Sequence, residues 1–203
     1  YHHLDAEDYP DGQERDRWDG SSVHFVALID DEVIATVRLI RDSKLGFQTE
    51  QYVNLPRGVS REKIAEVSRL TLKKDFRGHG DHIILGLSKL MYRYSRECRI
   101  TYWFATMFTP TWKLFLRYGI YFRVAGDLSL WPPTPGKGKP VIPVVLDLNE
   151  AGLYLLHHNE SLFREVYGDP RDYRPAQSRS ELDKVLASLQ RDLTLVKQRP
   201  VCM

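Results

Sequence analysis

Residues 101–108, TYWFATMF, form an almost unbroken apolar run of strand length. Such a strand belongs in the interior of a sheet with both faces covered. The sequence around it supplies candidate covers. Upstream, Ile83, Ile84, Leu87, Leu90, Met91, Tyr94 and Cys98 recur at helical spacing over about four turns. Downstream, Thr109-Pro110 reads as a helix start, with Thr as N-cap and Pro at the first helical position. The short helix it opens carries Trp112, Leu114, Phe115 and Tyr118 and stops at Gly119.

The remaining segments extend the sheet. HFVALID and DEVIATVRLIR are two β-rich runs broken by Asp30-Asp31, a hairpin signal without the usual glycine. An irregular connection over 43–61, containing Pro56 and Gly58, leads to a third strand at about 65–74. YFRVAGDLSLW and KPVIPVVLDLN flank the turn-rich WPPTPGKGKP and predict a C-terminal strand pair. Residues 150–167 and about 179–198 read as two helices, the second striped by Leu182, Val185, Leu186, Leu189, Leu193 and Val196. Residues 1–22 read as a polar arm. The expected architecture is α/β, a mixed, mostly antiparallel sheet flanked by helices. Its core should span 1–149, with a helical C-terminal extension over 150–203 packed on it.

Composition excludes several function classes. A chain of 203 residues suits one domain with a substantial core. No stretch approaches the eighteen or so consecutive apolar residues of a membrane span. A net charge of +2 is too weak to imply nucleic acid. The opening YHHLDAEDYPDG lacks the build of a secretory signal, and the absence of an initial Met leaves open a start further upstream. Cys98 and Cys202 make no disulfide framework, so a reducing cytoplasm is expected. The pairs His2-His3 and His157-His158 lack supporting ligand spacing, so no metal is expected. No G-x-S-x-G elbow appears and Ser68 has no evident His partner, which disfavours a serine hydrolase.

The loop Asp75-Phe76-Arg77-Gly78-His79-Gly80-Asp81 joins a predicted strand to a predicted helix. Gly78 and Gly80 permit close backbone approach, the helix amides suit a phosphate, and Arg77 adds a charged contact. A plain turn needs the same glycines. This order of elements, with Arg117-Tyr118-Gly119 ending the short helix, resembles the GNAT N-acetyltransferase core. The resemblance implies a three-layer fold whose loop holds the pyrophosphate of coenzyme A. Asp81 and His82 depart from that pattern, and an acidic Asp81 suits a single phosphodiester better than a pyrophosphate.

Three further pieces follow in order: Glu14-x-Asp16-x-Trp18-Asp19, Arg38-Leu39 and Glu66-x-Ser68-Arg69-Leu70. They resemble the acyl-homoserine-lactone (autoinducer) synthases and the related long-chain N-acyl amino acid synthases, such as the N-acyltyrosine synthases. The R-G-x-G loop, the helical tail and Trp18 in place of Tyr favour the second branch. The implied activity is transfer of a long fatty acyl group from acyl carrier protein, rather than coenzyme A, to an amino acid, with no permanently bound cofactor. A lactone synthase using S-adenosylmethionine and a non-catalytic acyl-binding module are the alternatives.

Chemistry assigns roles beside the resemblance. Thioester aminolysis needs a neutral amine, and a carboxylate can take its proton; Glu66 is the candidate base. Side chains alternate along a strand, so Arg69 reaches the Glu66 face only across a bulge, which the GNAT resemblance implies. A backbone amide near Leu72 would polarise the thioester carbonyl. Asp16, Asp19, Arg38 and Arg69 make a charge-balanced cluster, fit either to hold an amino acid or to pin the N-terminal arm. Some of Trp103, Phe104, Met107 and Phe108 should line an acyl tunnel. Lys89, Arg93 and Arg96, with Lys73, Lys74 and Arg77, are a candidate patch for an acidic carrier protein or a merely solvated face.

Overall fold

The computed structural model describes residues 11–51, 54–55, 59–78, 80–126, 129–131 and 139–171. The expected helix at 179–198, the linker over 132–138, the His2-His3 pair and Cys202 lie outside the described residues.

The hairpin forms as β1 (Ser22–Ile29) and β2 (Glu32–Arg41). Asp30 and Asp31 supply its turn with φ of 48° and 65°, a left-handed conformation that short acidic side chains tolerate. After the connection come β3 (Ile64–Leu72), α1 (Asp81–Glu97) and β4 (Tyr102–Phe108). Helix α2 (Thr109–Arg117) follows β4 without a break, and Gly119 takes φ +76° just beyond it. Thr109 is therefore inside the helix; Phe108, still extended, occupies the expected N-cap position without a side-chain cap.

The C-terminal strand pair is more broken than expected. It resolves into β5 (Arg123–Val124), β6 (Ser129–Trp131) and β7 (Lys139–Asp147), the two short strands sharing one edge of β7. The single helix read over 150–167 is also two helices, α3 (Leu148–His158) and α4 (Glu160–Tyr167). Asn159 breaks the run with extended φ, and its side chain accepts the Leu162 amide to cap α4.

The sheet runs β1-β2-β3-β4-β7-β5, with β6 also on β7. Among the described residues only β3–β4 pair in parallel; every other pairing is antiparallel. Alternation along the central strands sorts two cores. Leu39, Ala65, Trp103, Ala105 and Met107 face a large cluster with helices α1 to α4. Ile40, Ile64 and Phe104 face the opposite layer with Trp18 and Phe47. That layer is the arm from residue 11 and the described residues of the 42–63 connection, with short 3-10 turns at Asp19–Ser21, Gln48–Gln51 and Arg61–Lys63. Leu90 does not follow the predicted stripe of α1: it is 44% exposed, while Leu85, Ser88, Tyr92 and Ser95 complete the buried face. Phe163 and Tyr167 of α4 are buried in the same core as α1.

Candidate active site

Strands β3 and β4 pair only from Ile64↔Tyr102 to Glu66↔Phe104. Beyond that vertex both continue, to Leu72 and Phe108, without pairing to each other. The gap opens into a cavity of about 790 Å³, lined by Val67–Leu72 on one side and Ala105–Phe108 on the other. Its size lies within the range of about 300–1,000 Å³ usual for small-molecule sites. Trp103 and Met107 line it; Phe104 faces the other way. The Trp103 indole donates to Ser95 Oγ at 2.9 Å, so the ring is fixed as well as apolar.

The Leu72 amide faces this gap. Lys73 donates its amide to Ile34 at 2.8 Å, and Thr71 is paired with Thr36 on the same side. Leu72, between them, turns its own N–H and C=O away from β2. Its carbonyl accepts from Arg77 Nε at 3.2 Å. Arg77 lines the cavity mouth. Gly78 holds φ +100° with open space where a Cβ would sit. Gly80 has a different reason to be glycine: a Cβ there would meet Leu72 Cδ2 at 2.2 Å and the Phe76 carbonyl at 2.9 Å. The glycine expected to admit a phosphate thus also admits Leu72.

A bulge lies where the chemistry asked for one. Arg38 pairs with Ser68 and Thr36 with Thr71, so Arg69 and Leu70 stand opposite Val37 alone. Arg69 takes φ +51°. Its side chain is thereby turned to the Glu66 and Ser68 face, where it meets Arg38's acidic partners. Arg69 donates to Asp19 at 3.1 Å and Asp16 at 3.0 Å, and its Nε lies 3.2 Å from Glu14. Arg38 donates to Asp16 at 2.9 Å, Asp19 at 2.7 Å and Ser68 Oγ at 2.9 Å. Burial would raise the Asp19 carboxyl, but the Asp16 amide, Arg38 and Arg69 outweigh it and hold it below the ordinary value. Arg38 is 1% exposed and committed to these partners, so it is not presented to a substrate. Arg69 lines the cavity, and the Asp19 side chain is 31% exposed.

Glu66 stands apart from the cavity wall. It is fully buried on the opposite face, beneath the turn carrying Thr49. The Thr49 hydroxyl donates to it at 2.9 Å and the Thr49 amide at 3.2 Å. Desolvation pushes the carboxyl up to about 7, against the pull of these bonds and of Arg38. The turn is held by Arg61, which donates to Glu50 at 2.6 Å and Asp42 at 2.9 Å, and by the Trp18 indole on the Gly46 carbonyl at 2.9 Å. Thr49 carried no sequence signal, because it lies in an irregular connection without periodicity.

Residues 3–147 match the family described as N-acyl amino acid synthase FeeM. The chain belongs to that family. As a FeeM-family member it is an N-acyltransferase. No curated protein matches it. Its fold is shared with many solved structures, three of which follow. The CoA-dependent acyl-homoserine lactone synthase BjaI, with SAM and isopentyl-CoA, is 19% identical at TM-score 0.54, over 89% of this chain and 71% of that one. TofI, in a ternary complex with an inhibitor and MTA, is 16% identical at 0.55, over 74% and 78%. The AHL synthase LasI is 18% identical at 0.53, over 78% and 76%. The mixed, mostly antiparallel sheet flanked by helices that the sequence predicts is thus the fold of this FeeM-family chain. Among the described residues no helix is long and apolar enough to cross a membrane, and no cluster of His, Cys, Asp and Glu suits a metal ion.

Proposed function

We propose that this FeeM-family chain transfers a long fatty acyl group from the phosphopantetheine thioester of acyl carrier protein to the α-amine of an amino acid, tyrosine being the first acceptor to try. One observation carries the reading: the β3–β4 gap turns the Leu72 amide away from β2 and towards a large apolar cavity. The thioester carbonyl lies in the gap with its oxygen towards the Leu72 N–H, and the acyl chain runs past Trp103 and Met107. Arg77, Gly78 and Gly80 hold the donor's phosphodiester at the mouth. Asp19 and Arg69 take the acceptor's ammonium and carboxylate, while Arg38 and Asp16 organise them.

Glu66 first takes one proton from the bound ammonium through a water, its carboxyl lying off the cavity wall. The neutral amine then attacks the carbonyl carbon, the C–S bond breaks, and the nitrogen's second proton passes to the departing thiolate. The reaction runs in the cytoplasm, where both substrates are available.

Incubating the purified protein with acyl carrier protein thioesters and each amino acid, with mass spectrometry of the products, tests this. A new N-acyl amino acid is the expected product. An acyl lactone formed from S-adenosylmethionine points to the synthase alternative, and no turnover with any donor points to a binding module.

A further inference from the structure

The lining of the large cavity includes the exposed Arg77 and, on the helices, the buried Tyr92 of α1, Leu155 of α3, and Val166 and Tyr167 of α4. Along α1, the rise from Gly80 to Tyr92 is about 18 Å at 1.5 Å per residue, the scale of a long acyl chain.

Tyr92 and Tyr167 meet there with ring centroids 4.1 Å apart. Tyr167 is immobilised from two other directions. It stacks on Phe163 at 5.2 Å with planes 9° apart, and its hydroxyl donates to the Leu148 carbonyl at 3.2 Å. Behind Tyr92 lies a second cavity of about 170 Å³, which Tyr92 also lines, walled by Arg96, Arg99, Thr101 and Asn149. Tyr92 is thus common to both cavities, the larger one mostly apolar and the smaller one lined by Arg96 and Arg99.

We infer that the Tyr92–Tyr167 pair is the stop that sets acyl chain length, a specificity role that rests on the proposed acyl transfer. A chain that ends at the rings buries its methyl against aromatic carbon. One that is longer must displace a pair held by Phe163 and Leu148, or push methylenes towards the two arginines, where burial gains nothing. Tyr92 was not among the residues the sequence singled out, because its partner lies on a helix 75 positions away.

The test compares kcat/KM over a series of acyl donors, from short to long, for the wild type, Tyr92→Ala and Ser88→Leu. Ser88 lines the cavity midway along α1, and its hydroxyl bonds only the Ile84 carbonyl of its own helix. Tyr92→Ala should move the optimum to longer donors, raising the ratio of the next longer donor to the old optimum about tenfold or more. Ser88→Leu fills the same path and should move the optimum shorter. An unchanged optimum in a folded Tyr92→Ala overturns the stop; if that variant does not fold, an unchanged optimum in Ser88→Leu overturns it. Wild-type turnover that is indifferent to chain length also overturns it, while leaving acyl transfer intact. Wild type inert towards every donor removes the proposed function, and the stop with it.

Discussion

Thr49 holds both oxygens of Glu66, its hydroxyl on Oε1 at 2.9 Å and its amide on Oε2 at 3.2 Å. The carboxyl is buried at the vertex where β3 and β4 part, and so is fixed in place but poorly solvated. Two orienting bonds and a raised pKa are the combination a general base needs near neutral pH.

Glu66→Gln should lower turnover by roughly 10²-fold or more, since the near-isosteric amide cannot take a proton. The wild-type kcat/KM should rise about tenfold per pH unit below about 7 and level off above it, because only the ionised carboxyl is a base. Stability should run the other way. The folded state keeps the Glu66 proton up to about 7 and the unfolded chain releases it near 4.5, so this contribution is lost as pH rises through that window. Denaturant midpoints of Glu66→Gln should lack that decline. Full activity in the variant across this range removes Glu66 from the mechanism.

The loop variants separate packing from phosphate binding. Gly80→Val drives a side chain into Leu72 and the Phe76 carbonyl, so both Tm and turnover should fall. Arg77 is exposed, and Arg77→Met should leave Tm within a few degrees while raising the donor KM by roughly tenfold. An unchanged donor KM in Arg77→Met makes the loop a turn and nothing more.

Asp16 and Asp19 bridge the same two arginines. Either alone still partners Arg38, which is buried; losing both leaves that guanidinium without a carboxylate, with Ser68 its remaining partner. Each single change to Asn should cost about 1–3 kcal/mol, and the double change should exceed the sum by at least about 0.5 kcal/mol in urea unfolding. Strict additivity means the two carboxylates do not share Arg38.

The donor is tested by charge. Arg93 and Arg96 are exposed on α1, whereas Lys89 is half-buried. Reversing both arginines to Glu should reduce efficiency with acyl carrier protein about tenfold at low salt and far less with acyl-coenzyme A. The wild-type advantage of the carrier should shrink as added salt shortens the screening length to about 8–10 Å or less. Equal losses with both donors remove the carrier as partner.

Local chemistry alone determined the hairpin, the buried strand TYWFATMF, the amphipathic α1 and the R-G-x-G turn; the bulge between Glu66 and Arg69 was implied by the GNAT resemblance. Each depends on near neighbours: periodicity of two or 3.6, proline at a helix start, and alternation across a pleat. The break at Asn159 was missed because the apolar pattern continues through it, although the cap that makes it is local. Tertiary structure decided the rest. Whether Arg38 faces a substrate or is consumed by Asp16 and Asp19 depends on a strand meeting an arm some twenty residues away in sequence. That Glu66 is covered by Thr49 and that Leu72 turns its amide into a gap follow from which strands pair and where pairing stops, and that Tyr167 meets Tyr92 follows from how α4 packs on α1. Pairing partners are chosen by the burial of the whole sheet, and no window of sequence contains that sum.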